Sequence, residues 1–356
     1  MMERRSLTDE HVREILKQYG VVPDTLWLVS QRRERMQWMV NSGEDRWILK
    51  KEPRAFEKML FIAGAHQHLH DNGLPIAKLA RTSEGDLCVD GKEAGGSFVM
   101  YERHTGDPLN YYDPDHLQKA MAFKAAFHEK SAGYEKPEGA KRRRRLGKWE
   151  KLYRWKIQQL QGFQTIARHF GNDPFSRLFM QHAEEMIKRG KAAFEALDAP
   201  YFQEQTEKFV ESGMFCEQDF TLARLTMKDG RAFMKELRSV NRDMPTRDIR
   251  VMLDKVMKKF SVWDRELCVQ MLRAYDKVRP LDKDEFRVLR TDLQFPHLFA
   301  SIAQNYYLRE KKAWNDDKFL LALQNVIAVE QSKTAILNDF EEIYENVKTH
   351  DSTAVR

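Results

Sequence analysis

Apolar residues change their rhythm along this chain near residue 103. Val12, Ile15, Leu16 and Tyr19 recur at helical spacing behind the capping candidates Ser6 and Thr8-Asp9, and Gly20 closes that first helix. Beyond Pro23 the pattern shortens. Leu26 to Val29, Met36 to Val40 and Trp47 to Leu49 are apolar runs of strand length, the last two joined by the turn Asn41-Ser42-Gly43-Glu44-Asp45. A helix from about Pro53 to His70 follows and ends at Asn72-Gly73. Cys88-Val89 and Ser97 to Tyr101 again read as strands, with turns at Glu84-Gly85 and Asp90-Gly91. From Asp115 onward almost every stretch carries a helical period. The exception is Leu225 to Leu237, which predicts a hairpin turning at Lys228-Asp229-Gly230-Arg231. The pattern predicts an α+β protein of two lobes: a small β-rich lobe over residues 1–103, a large helical lobe over 104–348 and a frayed tail at 349–356.

Composition narrows the class. A chain of 356 residues, 42% hydrophobic and 32% charged, is long for one core and belongs to a folded protein rather than a disordered one. Its apolar runs, such as Met59 to Ala65, are too short to span a bilayer, so no membrane insertion is expected. The start, Met1-Met2-Glu3-Arg4-Arg5, runs into polar sequence and predicts no signal peptide, hence synthesis in a cytoplasm. Cys88, Cys216 and Cys268 are far apart and make neither a disulfide framework nor a CxxC metal pair. Much of the net charge of +6 sits in the basic run Lys141 to Arg145. No aromatic interleaving or nucleic-acid motif accompanies it, so it reads as a solvated loop.

Candidate chemistry is concentrated in Phe215-Cys216-Glu217-Gln218-Asp219-Phe220, Arg224 and Phe233-Met234-Lys235-Glu236-Leu237. Together with Leu146-Gly147-Lys148-Trp149, Ala196-Leu197 with Tyr201, Met244-Pro245 with Asp248, Val262-Trp263-Asp264, Val278-Arg279-Pro280-Leu281, Phe295-Pro296 and Asn305-Tyr306-Tyr307, these segments give a pattern over most of the chain. That pattern resembles the CotS-type spore coat proteins, which include a YutH-like branch, within the aminoglycoside phosphotransferase and choline kinase superfamily. The resemblance implies a protein-kinase-like fold and a place in the spore coat after synthesis in the mother-cell cytoplasm, with other coat proteins as partners. Kinases of that superfamily carry His-x-Asp-x4-Asn and, one hairpin later, a magnesium-holding Asp; the first Asp orients the nucleophile, and Asn and the second Asp hold the ions. Here Asp219 keeps the first position, as a vestigial base. Glu217 stands for the His, Arg224 for the Asn and Lys235 for the second Asp. Two metal ligands become cations, which implies a pseudokinase with no cofactor; ATP and magnesium enter only if the chain is an active small-molecule kinase with an atypical metal site.

The same template assigns the remaining positions. Lys50, ending Trp47-Ile48-Leu49-Lys50, stands where a kinase lysine meets nucleotide phosphates, with Glu57 in the next helix as its ion-pair candidate. Strand alternation turns only one of Lys50 and Lys51 into the cleft. Met100 and Glu102 flank the inter-lobe linker where backbone groups would meet adenine. The loop covering the phosphates is Ser30-Gln31-Arg32-Arg33-Glu34-Arg35, whose bulky side chains oppose close backbone approach while attracting anions. Glu217 is expected to pair with Arg224 or Lys235, closing the site on itself. His66 and His70 stand at i, i+4 but lack the intervening Glu of an HExxH site, so metal binding is not expected there. The resemblance implies that His128 braces the catalytic loop, with a core histidine as the equal alternative, and Cys216 reads as a buried strand residue rather than a nucleophile.

Overall fold

The computed structural model describes residues 7–91, 94–218 and 220–349. Within it the chain forms two compact units, each assembled from separate stretches: Met1–Asn110, Ala126–Arg144 and Gly213–Arg242 in the first, Tyr111–Ala125, Arg145–Ser212 and Asp243–Arg356 in the second. The change of rhythm near residue 103 lies inside the first of these stretches, and further strands of the first unit follow it. The tail beyond residue 349 lies outside the described residues.

The first unit opens with α1 (Asp9–Gln18), capped by the Thr8 hydroxyl, which accepts from the His11 amide. Strands β1 (Thr25–Arg32), β2 (Arg35–Ser42) and β3 (Asp45–Glu52) lead to α2 (Phe56–Asp71), then β4 (Val89–Asp90) and β5 (Ser97–Glu102). They pair antiparallel in the order β1-β2-β3-β5-β4. Alternation sorts their side chains. Trp38, Val40, Leu49, Phe98 and Met100 face α1 and bury with Val12, Leu16 and Tyr19. Lys50 lies opposite Gln37 and Val99, and Ile48 opposite Met39 and Tyr101, so these six share the other face.

The rest of this unit holds β6 (Asp107–Pro108), then β7 (Cys216–Glu217), β8 (Leu225–Lys228), β9 (Arg231–Met234) and β10 (Val240–Asn241). They form a three-stranded sheet, β6-β8-β9, and the pair β10-β7. The β8–β9 turn is the one the Asp-Gly signal predicts: Asp229 and Gly230 both take positive φ, 50° and 74°. The basic run differs from the solvated loop expected of it. Lys141, Arg142 and Arg144 are exposed, but Arg143 is half-buried and the backbone is tied down. The Lys141 amide donates to Glu57 O (2.9 Å) and the Arg242 amide to Arg143 O (2.9 Å).

The second unit is helical. The boundary at residues 125/126 falls inside α3 (Pro114–Lys130). Then come α4 (Trp149–Phe170), α5 (Pro174–Glu195), α6 (Pro200–Glu211), α7 (Pro245–Phe260), α8 (Arg265–Asp276), α9 (Lys283–Gln294), α10 (His297–Tyr307), α11 (Asp316–Asn338) and α12 (Phe340–Lys348). Asp173, Asp264, Asp282 and Asn315 cap α5, α8, α9 and α11 with their side chains. Inside, Asp292 accepts from Tyr153 Oη (2.6 Å), Arg250 Nε (3.0 Å) and His297 Nε2 (2.7 Å), so a buried carboxylate joins α4, α7, α9 and α10. Among the described residues no helix is long and apolar enough to cross a membrane.

Candidate functional site

Everything described here belongs to the first unit. Lys50 projects from β3 onto the face it shares with Ile48, Val99 and Tyr101, and it donates to Glu236 Oε2. The second oxygen, Oε1, accepts from Arg238 Nε at 2.7 Å. Both members of the Lys50–Glu236 pair are nearly out of solvent, their side chains 13% and 8% exposed. Burial alone would raise the Glu236 pKa, but the two cations outweigh it and hold the carboxyl at about 2. Burial pushes the Lys50 pKa down, against the pull of Glu236.

Backbone hydrogen bonds aim Glu236. The Met234 amide donates to Pro75 O (2.8 Å), the Ala77 amide to Met234 O (3.0 Å) and the Lys235 amide to Arg224 O (3.0 Å). With the chain pinned on both sides, Glu236 turns towards Lys50. Lys235 does not: it is half-exposed and lies near His104, whose imidazole is depressed first by burial and then by Lys228 and Lys235. The acid that follows the hairpin and meets the strand lysine is thus Glu236, the residue directly after Lys235.

Glu57 is likewise not the partner of Lys50. It is exposed in the first turn of α2. The α2 residue beside Lys50 is the buried Met59, which with Val99, Tyr101, Glu236 and Leu237 lines a small closed cavity there. An apolar side chain therefore stands where a helix carboxylate was expected, and the counter-ion comes from beyond β9. Arg238 and Met59 were not singled out from the sequence, and Glu236 was named only as part of the segment that runs from Phe233 to Leu237. The acidic type of Glu236, directly after the position chosen, was the one available signal.

Glu217 and Arg224 meet as expected: an Arg224 Nη1 donates to Glu217 Oε1, with both residues buried. β7 fixes the glutamate by pairing Glu217 with Val240, and a single 3-10 turn, Leu222–Arg224, returns the arginine. Asp219 lies outside the described residues. His128 and Cys216 are buried. His66 and His68 are committed separately, through Nε2 to Ala77 O (2.6 Å) and Ala132 O (2.9 Å).

The two linker positions are tied into the first unit by their backbones. The Met100 side chain is in the core under α1, and its carbonyl accepts from the Ala80 amide at 2.9 Å. The Glu102 amide donates to Lys78 O at 2.9 Å.

At the β1–β2 end a cavity of 1160 Å³ is lined by Arg32, Arg33, Arg35, Lys50 and Arg238 against Glu34 and Glu52. Arg33 occupies the turn at φ +57°, a left-handed conformation that costs an arginine about 1 kcal/mol. Glu52 accepts from Arg35 Nε (3.1 Å) and lies 3.7 Å from Arg54 Nε. Arg32 and Arg33 meet no carboxylate among the described residues, so the cavity carries cationic excess and suits an anion better than a magnesium ion.

Comparison with known proteins agrees with this frame. Residues 12–340 match the family described as Spore coat putative kinase YutH. Spore coat protein S of Bacillus subtilis (strain 168) is 43% identical over 349 residues, covering 98% of this chain and 99% of the relative. Among solved structures, an aminoglycoside phosphotransferase from Alicyclobacillus acidocaldarius superposes with a TM-score of 0.76 at 18% identity, over 93% of this chain and 96% of the other. The amicoumacin kinase hAmiN, in complex with AMP-PNP, Ca2+ and Ami, gives 0.63 at 13% identity, over 92% and 94%. The two-lobed kinase-like fold is thereby shown.

Proposed function

We propose that this chain, which belongs to the YutH family of spore coat proteins, works in the coat as a kinase-fold protein that binds its partners and transfers no phosphate. One observation carries the reading. Both oxygens of Glu236 are held by cations, and Arg224, at the position of an Asn ligand, is turned onto Glu217. Magnesium needs near-octahedral oxygen ligands, and a phosphotransferase of this fold uses the ion to neutralise the charge of the transferred group. In this chain an ion would have to displace Lys50 and Arg238 from Glu236 and face a third cation, Arg224. Losing a metal-held transition state costs several kcal/mol, or several powers of ten in rate. The family name and the name of the Bacillus subtilis relative support a place in the coat; other coat proteins are the partners this reading proposes.

The competing reading, an ATP-dependent small-molecule phosphotransferase using Asp219, draws on the acid retained at Glu236. Calorimetric titration with magnesium and ATP, alongside phosphate release, separates the two. The expected result is no turnover, and magnesium-dependent nucleotide binding that rises in an Arg224→Asn, Arg238→Ala variant. Turnover by the wild-type chain, abolished by Asp219→Ala, would establish the competing reading.

A further inference from the structure

On the second unit, the start of α4 carries a slot of 360 Å³ whose apolar wall is Trp149, Leu152 and Trp155. Their spacing of three residues puts them in one strip along the helix. Lys148, Lys151 and Arg247 stand at its rim, and Arg145, the last residue of the basic run, completes the lining. Among the described residues no acidic side chain lines it.

Two features mark the slot as built. The buried carboxylate of Asp243 accepts from Trp149 Nε1 (2.8 Å) through one oxygen and from Arg247 Nη1 (2.9 Å) through the other. One acid thus fixes an aromatic ring on the wall and a guanidinium on the rim. Phe202 packs on the same indole, 5.4 Å between centroids. Trp155, by contrast, remains 45% exposed, a large ring with only part of its apolar area covered.

The charges are arranged against the local helix. Lys148 is the N-cap of α4 and makes no side-chain cap bond, and Lys151 lies in the first turn. Cations at a helix N-terminus oppose the macrodipole, at a cost of about 0.3–1 kcal/mol each. Lys148 and Lys151 meet no carboxylate among the described residues, and Glu150 between them is tied to Arg154. An anionic partner would remove that repulsion and gain the amides of the helix end as well.

We infer that this slot is a docking site for an acidic protein segment bearing one apolar side chain, which would lie on the tryptophan wall while its carboxylates meet Lys148 and Lys151. The site deepens the binding role proposed above by giving the chemistry of the partner. Buried aromatic anchors inside a charged rim are the arrangement that concentrates binding energy at interfaces.

A fluorescein-labelled peptide of alternating Asp and Glu around a central Phe tests this by polarisation, against the same peptide with Ser in place of Phe. The Phe peptide is expected to bind at least tenfold more tightly, with affinity falling as salt rises. Lys148→Glu with Lys151→Glu should weaken it at least tenfold; the change favours the helix dipole, so folding is retained. Trp155→Ala should weaken the Phe peptide and leave the Ser peptide unchanged. Equal binding of the two peptides, wild-type affinity in the double variant, or displacement of the peptide by a lower concentration of single-stranded DNA would each overturn the inference. Such failure stays distinct from failure of the pseudokinase reading, which is decided by magnesium–ATP turnover and not by peptide affinity.

Discussion

Replacing Lys50 with Met tests the central ion pair, because methionine keeps an unbranched chain only one atom shorter and deletes the charge. Glu236 would then retain Arg238 but lose the cation on its other oxygen. In the wild-type chain its carboxyl falls from an ordinary 4.5 to about 2. That depression corresponds to about 3 kcal/mol of stability at pH 7. Breaking a buried pair costs about 3–5 kcal/mol, and the residual exposure of this one, 13% and 8%, places the expected loss near the lower end, about 3 kcal/mol. The pH dependence gives the sharper test. A depressed carboxyl contributes fully above its unfolded pKa of 4.5, and the contribution is lost as pH falls through the folded value, about 2. In Lys50→Met, burial becomes the dominant influence on Glu236, so acidification relieves the variant while it weakens the wild type. Urea titrations followed by far-ultraviolet circular dichroism at pH 7 and pH 4 should show a gap that narrows with acid. A gap below about 1 kcal/mol at pH 7, or one of equal size at both values, would refute the reasoning.

Three further outcomes follow from other parts of the structure. Asp292→Asn, which removes the charge that Arg250, His297 and Tyr153 converge on, should lower stability by about 3 kcal/mol or more at pH 7 in thermal or urea unfolding. Arg250 holds the Asp292 carboxyl well below its ordinary 3.8 despite burial, so the loss should shrink as the medium is acidified below that value. Gly96→Ala should cost about 2 kcal/mol or more, since Gly96 has φ +86° and an added Cβ would stand 2.2 Å from Glu52 O; a wild-type melting temperature would contradict this. Changing the exposed residues Lys141, Arg142 and Arg144 to Gln should leave stability within about 0.5 kcal/mol, whereas adding Arg143→Gln, half-buried, should exceed that in the same unfolding assay.

Much of the local structure was legible because local chemistry decides it. Thr8 caps α1 whatever lies elsewhere, Asp229-Gly230 demands the positive φ pair of a tight hairpin, and alternation through Trp47-Ile48-Leu49-Lys50 sends Lys50 to the face opposite Leu49. Glu217 and Arg224 were also within reach of sequence reasoning: they are seven residues apart, and a buried acid beside a buried base has few alternatives to pairing. Tertiary structure alone decided the partner of Lys50. Glu57 is near in sequence but turns outward on α2, while Glu236, 186 residues away, is delivered by a strand end pinned to residues 75–77 and 224. Those long-range backbone bonds also decide between Lys235 and Glu236, because past the end of a strand no alternation rule states which neighbour turns inward. The same holds for Asp243, which orients Trp149 and Arg247 from outside the element that carries the tryptophan. Residue type and period determined what each segment forms; which charges meet depended on hydrogen bonds between segments far apart in the chain.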